Sequence, residues 1–402
     1  VSWVPLNRAA LLILNLVAIT SYLLVGWASG SFAHIDASVF SSQDSREYRE
    51  VADWIFGARA TTEASSWRPF VYPLLIGLAE RLGGIRGVWL LNVALWFTTL
   101  NVCAVATYRF VESQWAAGLV FLVLATNLSL ILLTFEGLTE LTVVALLAFW
   151  ILGLSHLTGR PTLSQVAWVL LPVALLVVVK PEFEVLLLVV AVVLIIGIAR
   201  SHPRGLAAVV FAACLVPVAI QLFVMVHFNG YFGISKIGDI TLRQYFLARV
   251  DVAIGRAADV YAARLQTSAL SNLDAARLVF DHLGNSLVVF GSTLTENLLS
   301  GTSFLDDHSQ MRFAILVTQF IYFAVLIAMV PVLLVALWRA RDGRLALLCI
   351  ATLNVFLAGG LTFWQGDRIT IVALPLWLTA FVLAVKEVGR LAPSRSVTSS
   401  QP

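Results

Sequence analysis

The chain has 402 residues, 60% of them hydrophobic and only 12% charged, with a formal net charge of +3. A soluble domain carries about 25% charged residues, so this composition excludes an ordinary soluble fold and points to an all-α polytopic membrane protein. The basic residues are few and scattered, which argues against nucleic acid as a partner.

A span needs about 20 apolar residues. Ten segments fit, near 8–28, 87–108, 116–135, 139–157, 165–181, 184–199, 206–228, 313–338, 345–363 and 369–388. The first is read as a span and not as a cleavable signal peptide, because no small-residue cleavage pattern follows it. Cys103, Cys214 and Cys349 lie inside apolar runs, where packing is the expected role. No internal repeat, low-complexity tract or nucleotide-binding glycine motif interrupts the pattern.

Orientation follows from charge. With a cytoplasmic N-terminus, the inner loops carry Arg109, Arg160, Arg200, Arg204, Arg339, Arg341, Arg344, Lys386, Arg390 and Arg395, with few acids among them. That is the positive-inside pattern, and it places both termini in the cytoplasm. Residues 1–402 are read as a single membrane domain with two long outer loops, 29–86 and 229–312. The second has helical patterning and charges of both signs, so a small folded cap is expected there.

The polar candidates all fall on the outer side. In the first loop, Ser41 to Trp54 form a dense polar island. From Tyr48 the residues Tyr48, Val51, Ala52 and Ile55 share one helical stripe, which predicts an amphipathic helix with its apolar face in lipid. Asp44 has two readings: an N-cap completing a capping box with Glu47, or a carboxylate placed to meet a lipid-borne substrate. Glu136 and Glu140, four apart, would share a helical face at the start of a span. They serve either the helix dipole or, as a second carboxylate, an acceptor hydroxyl or a metal. Lys180, followed by Pro181, is either a snorkelling helix-end lysine or a cation held for a phosphate. Arg368 either pairs with Asp367 or clamps a phosphate bidentately. Asp306, Asp307 and His308 are a weak candidate for a divalent cation. Trp54, Trp67, Tyr72, Tyr231, Tyr245, Trp364 and Trp377 read mostly as interfacial anchors, with one or two available to stack on a sugar.

At these residues the chain resembles the GT-C superfamily of polytopic glycosyltransferases, especially the dolichyl-phosphate-mannose protein mannosyltransferases and the RgtA/B/C/D-like bacterial enzymes. The family pattern of a loop acid, a Tyr and an Ala is matched by Asp44, Tyr48 and Ala52. Arg68-Pro69-Phe70-Val71-Tyr72-Pro73-Leu74-Leu75, Thr139-Glu140, Lys180-Pro181 and Gly366-Asp367-Arg368 with Pro375 follow in the family's order. The resemblance implies a GT-C-like fold of about ten spans, with amphipathic juxtamembrane helices in the first outer loop. It implies an enzyme of the bacterial inner membrane that moves a sugar from a polyprenyl-phosphate donor to a glycan, lipid or protein acceptor on the outer face. Asp44 would be catalytic, Lys180 and Arg368 would bind the phosphate, and Tyr48, Arg68 and Tyr72 would line the site. Many members carry a second acid beside the first, whereas here Ser45 follows Asp44. No cofactor is therefore fixed, and a divalent cation is the one candidate. The competing classes are a secondary transporter or lipid flippase, and a polymerase or ligase of lipid-linked glycans.

Overall fold

The computed structural model describes residues 7–198, 203–299, 309–340, 342–362 and 368–391, and every regular element among them is helical. Lipid offers no water to backbone N–H and C=O groups, so long apolar runs close their hydrogen bonds internally as helices. In chain order the principal helices are α1 (Arg8–Ala28), α2 (Gln43–Ile55), α3 (Val71–Val111), α4 (Gln114–Ala125), α5 (Glu140–His156), α6 (Leu163–Val177), α7 (Glu184–Ile198) and α8 (Arg204–Asn229). After them come α9 (Val260–Ser268), α10 (Asn272–Asp281), α11 (Leu283–Leu299), α12 (Ser309–Ala340), α13 (Gly343–Leu361) and α14 (Arg368–Leu391).

Each of the ten expected segments falls on a helix. Among the described residues seven helices are long and apolar enough to cross a membrane, or up to eight if one bent pair is a single span. This is an all-α integral membrane protein. The remaining two, α5 and α6, are apolar but have only 17 and 15 residues. At 1.5 Å per residue they reach roughly 25 and 22 Å, less than a bilayer core of about 30 Å. Nearly all of α5 is buried between α3, α6 and α14, whereas α12 presents most of its surface outward, as a lipid-facing helix does.

Two local expectations are corrected and a third is given its hinge. The 116–135 segment is not one straight span, because α4 and Leu128–Phe135 meet at 58°. Asn127 restarts the helix there, its Oδ1 accepting from the Leu130 N–H at 2.8 Å. The helix after Pro69 and the next span are two parts of α3, broken at Gly83 and Gly84. A straight helix of its 41 residues would reach about 62 Å, twice the bilayer core. Gly84 takes φ +62°, a backbone that side chains disfavour, and so supplies the turn from the juxtamembrane part into the span. Lastly, α2 does not lay its apolar stripe in lipid. Tyr48, Val51 and Ala52 are buried in the protein, α2 packs on α3, and Arg49 Nη2 clamps the pair to Glu80 Oε1 at 2.5 Å.

The second outer loop is folded where described. Its core gathers Phe246, Leu247, Val250, Ala275, Leu278 and Val289 from the π-helical stretch Thr241–Leu247, Ala248–Ala253, α10 and α11. Asn297 on α11 donates to the Gly359 carbonyl of α13 at 2.7 Å. At the other edge, Gln221 on α8 accepts from the Phe70 N–H at 3.0 Å and donates to the Ile234 carbonyl at 2.7 Å. The Lys236 N–H donates to the Ser66 carbonyl at 3.2 Å. These bonds sew the first outer loop to the start of the second, and the seam becomes a wall of the site.

The packing of α5 on α6 depends on a close backbone approach. A Cβ added at Gly153 would lie 2.5 Å from the Trp168 carbonyl oxygen, whereas one at Gly118 meets nothing within 4 Å. Gly153→Ala is expected to cost about 1–3 kcal/mol by overpacking. It should lower the thermal unfolding midpoint in detergent, with Gly118→Ala as a control that does not.

Candidate functional site

The site is built on helix ends. The central helix α5 opens on Glu140, which is fully buried, and a helix N-terminus favours a carboxylate. Its Oε1 accepts from Arg368 Nε at 2.8 Å, and Lys180 Nζ lies 3.5 Å from the same oxygen. Arg368 is the first residue of α14. Lys180 stands just beyond α6, where Pro181 opens the short 3-10 turn Pro181–Phe183 and the chain leaves the helix.

The first outer loop supplies the rest. Ser42 caps α2, its Oγ accepting from the Ser45 N–H at 3.2 Å, so Asp44 is not the N-cap. Asp44 instead lies in the first turn and gives both oxygens to guanidiniums: Oδ1 to Arg68 Nη2 at 2.5 Å, Oδ2 to Arg368 Nη2 at 2.7 Å. Arg68 also holds Glu47 Oε2 at 2.8 Å and donates to the Tyr48 hydroxyl at 3.3 Å. At the far end, Lys180 Nζ lies 3.6 Å from Glu182 Oε1. The order is therefore Glu47, Arg68, Asp44, Arg368, Glu140, Lys180, Glu182, an unbroken alternation of acid and base.

Five of those seven, Asp44, Arg68, Lys180, Glu182 and Arg368, line one cavity of about 880 Å³. Its polar end also takes in Tyr48, Trp67, Glu184, Tyr231, Asp239, Tyr245 and Thr362. Its other arm is apolar, with Val177, Leu187, Leu188, Ala191, Leu215, Val218 and Leu222 from α6, α7 and α8. One space thus joins a charged head to a slot between membrane helices.

Burial works against a charge on Asp44, but the Arg368 and Arg68 guanidiniums overcome it and hold its carboxyl well below the usual carboxylate range. Lys180 is pulled down by burial, and Glu182 and Glu140 outweigh that, so its ammonium keeps its proton more tightly than a free lysine. Lys180 does not snorkel to water; its charge is answered inside the protein.

The other expectations divide. Glu140 and Glu136 do not line the cavity. They do not share a helical face either, because Glu136 lies in extended backbone before α5 begins, its carbonyl accepting from Asn92 Nδ2 at 2.7 Å. Tyr72 is not in the lining; it is buried behind Tyr48, edge to face at 4.9 Å. Of the aromatic residues, Trp67, Tyr231 and Tyr245 reach the cavity, Trp54 packs edge-on against Phe228, and Trp377 is buried in the bundle. Asp306, Asp307, His308, Trp364, Gly366 and Asp367 lie outside the described residues. Among the described residues no three of His, Cys, Asp and Glu come together as metal ligands. Sequence reasoning missed Glu47 as the partner of Arg68, having taken it for a capping residue, and gave Glu182 no role. The only signal for Glu182 was its place two residues after Lys180.

No protein-family model matches the chain, and no curated protein does. Among solved structures the chain is similar to ArnT from Cupriavidus metallidurans bound to undecaprenyl phosphate. The two share 12% identity over 96% of this chain and 79% of that one, with a TM-score of 0.43. A likeness at that level assigns no chemistry to this chain.

The ion pairs predict their own hierarchy. Glu140→Gln removes the fully buried carboxylate that Arg368 and Lys180 share, leaving each with one acid, Asp44 or Glu182, a loss of about 3–5 kcal/mol. Asp44→Asn costs less, because Asp44 is part-exposed where Glu140 is fully buried, and its arginines keep Glu47 and Glu140 at 2.8 Å. Thermal midpoints of the purified variants should rank wild type, then Asp44→Asn, then Glu140→Gln.

Proposed function

We propose that the protein is a membrane glycosyltransferase of the GT-C kind, moving a sugar from a polyprenyl-phosphate donor to an acceptor hydroxyl with inversion. The observation that carries this reading is the shape of the cavity: an apolar slot between α6, α7 and α8 leading to Asp44, Arg68, Lys180 and Arg368. A prenyl chain matches the slot and a phosphate matches the cations. The motif resemblance at Asp44, Arg68-Pro69, Thr139-Glu140 and Lys180-Pro181 supports the same assignment.

In this scheme Lys180 and Arg368 neutralise the donor phosphate and stabilise it as it leaves. Asp44, kept ionised and oriented by its two arginines, uses its remaining lone pairs to accept the acceptor hydroxyl. The acceptor oxygen bonds to the anomeric carbon as the carbon–phosphate-oxygen bond breaks, and the hydroxyl proton passes to Asp44. The acceptor is a hydroxyl of a glycan, a lipid or a protein. Glu140, buried beneath the cations, orients them and does not touch the acceptor.

The reacting end faces outward. The opposite helix ends gather basic groups: Arg109 Nη1 lies 2.6 Å from His156 Nε2, Lys386 Nζ donates to the Phe110 carbonyl at 2.6 Å, and Arg344 stacks over the Phe110 ring. That is the bias of a cytoplasmic face. A transporter would carry ionisable groups near the bilayer midplane; here they sit at the beginnings and ends of helices.

Asp44→Asn should retain binding of the lipid donor while transfer falls by about 10²–10⁴-fold, the usual range for a lost general base. The measurement is sugar transfer from lipids extracted from the native membrane, followed by mass spectrometry. Wild-type transfer by a folded Asp44→Asn protein removes the catalytic assignment.

A further inference from the structure

The alternating row begins and ends on a carboxylate, so its described members are four acids and three bases. A donor phosphate adds another anion to a half-buried group that is already one negative charge in excess. Desolvated like charges are costly, so one carboxylate has to lose its charge or withdraw. The geometry ranks them. Asp44 is gripped by two guanidiniums at 2.5 and 2.7 Å. Glu47 takes two guanidinium contacts from Arg68, at 2.8 and 2.9 Å. Glu140 is fully buried on the central helix. Glu182 is the terminal member, held by one ammonium at 3.6 Å, and it lines the cavity.

Glu182 cannot simply swing away with its backbone. Pro181 starts its turn, Phe183 is buried, and Asn354 on α13 donates to the Glu182 carbonyl at 3.0 Å. Its backbone therefore stays put and keeps the carboxyl within reach of Lys180, where the donor phosphate is placed by the reading above. We propose that Glu182 takes up one proton from solvent as a lipid phosphodiester arrives on Lys180, and then donates a hydrogen bond to a phosphate oxygen. The one bond formed is the O–H of Glu182, its proton supplied by solvent, and no bond of the lipid changes. The anion replaces the charge of Glu182 on Lys180, and the carboxylic acid becomes a ligand to it.

The groups around Glu182 fit this role. Lys180 and Arg368 are the nearby cations, with Glu140 behind them. Glu184 follows in α7, and Asp239, on the helix Ile237–Ile240 beside the turn, is already held by Arg243 at 2.5 Å. The facing segments of α6 and α13 bring no further charge. Glu140, Glu184 and Asp239 thus balance Lys180, Arg368 and Arg243 about Glu182, and an entering phosphate leaves its surroundings one negative charge in excess, which favours its neutral form.

The proposal rests on the donor-phosphate reading, and the test separates the two. The probe is a farnesyl phosphate monomethyl ester, a diester that does not itself titrate near neutrality, bound to the full chain in nanodiscs at pH 6 and pH 8. Wild type is expected to bind up to about a hundredfold tighter at pH 6, since one coupled proton changes affinity by at most tenfold per pH unit. Glu182→Gln, a permanent neutral donor, should bind tightly at both. Calorimetry of wild type in two buffers of different ionisation enthalpy should show up to one proton taken up per ligand. Equal wild-type affinity at the two pH values with no proton uptake overturns the proposal and leaves the donor reading standing. Weaker binding by folded Glu182→Gln overturns it too. If wild type does not bind the diester at either pH, both fall.

Discussion

The charged end of this protein depends on the requirement that charges removed from water be answered by others. Glu47, Arg68, Asp44, Arg368, Glu140, Lys180 and Glu182 meet it only together, because each interior member has a partner on both sides. They come from α2, the linker before α3, the start of α5, the turn after α6 and the start of α14. No two of those elements can shift apart without exposing an unmatched charge in a half-buried space. The row thus fixes the relative heights of helices that the hydrophobic effect alone would let slide, since apolar side chains gain little in lipid from one register over another.

That requirement also explains what the sequence could disclose. Apolar runs become helices because lipid permits nothing else, so the helical segments were legible from hydropathy. The breaks were less so: Asn127 lies in an apolar run, and only its side chain bonded to Leu130 shows that it restarts a helix. At the site, Asp44, Lys180 and Arg368 stand out as charges at the rim of a greasy chain, and the structure brings all three to one cavity. What the sequence hides is pairing. Arg68 and Glu47 are 21 residues apart, and Arg368 and Glu140 are 228 apart. Local patterns supplied a plausible alternative in each case. Glu47 looked like half of a capping box, yet Ser42 caps the helix. Glu136 and Glu140 had helical spacing, yet the helix starts only at Glu140.

The cap belongs to the same construction. Gln221 binds the chain on either side of the seam, at Phe70 and Ile234, and so ties α8 to both outer loops. The cavity wall that carries Tyr231, Asp239 and Tyr245 is therefore attached to the loop that carries Asp44 and Arg68. That wall is held by hydrogen bonds of the Gln221 side chain and the Lys236 N–H, beside a slot between α6, α7 and α8 that is lined by apolar side chains.

A cation cluster that waits for an anionic ligand needs countercharges while the site is empty, and those same carboxylates then compete with the ligand. The row divides that conflict by position. Glu47 and Glu140 stand outside the cavity lining, so a ligand cannot reach them, and they set where Arg68 and Arg368 point. Asp44 and Glu182 face the cavity and share their cations with whatever enters. In the proposed reaction, orientation is thereby assigned to the hidden acids and reactivity to the facing ones. Affinity for an anion is then a difference between two similar sets of contacts, and a small change in the charge of one facing acid can tip it.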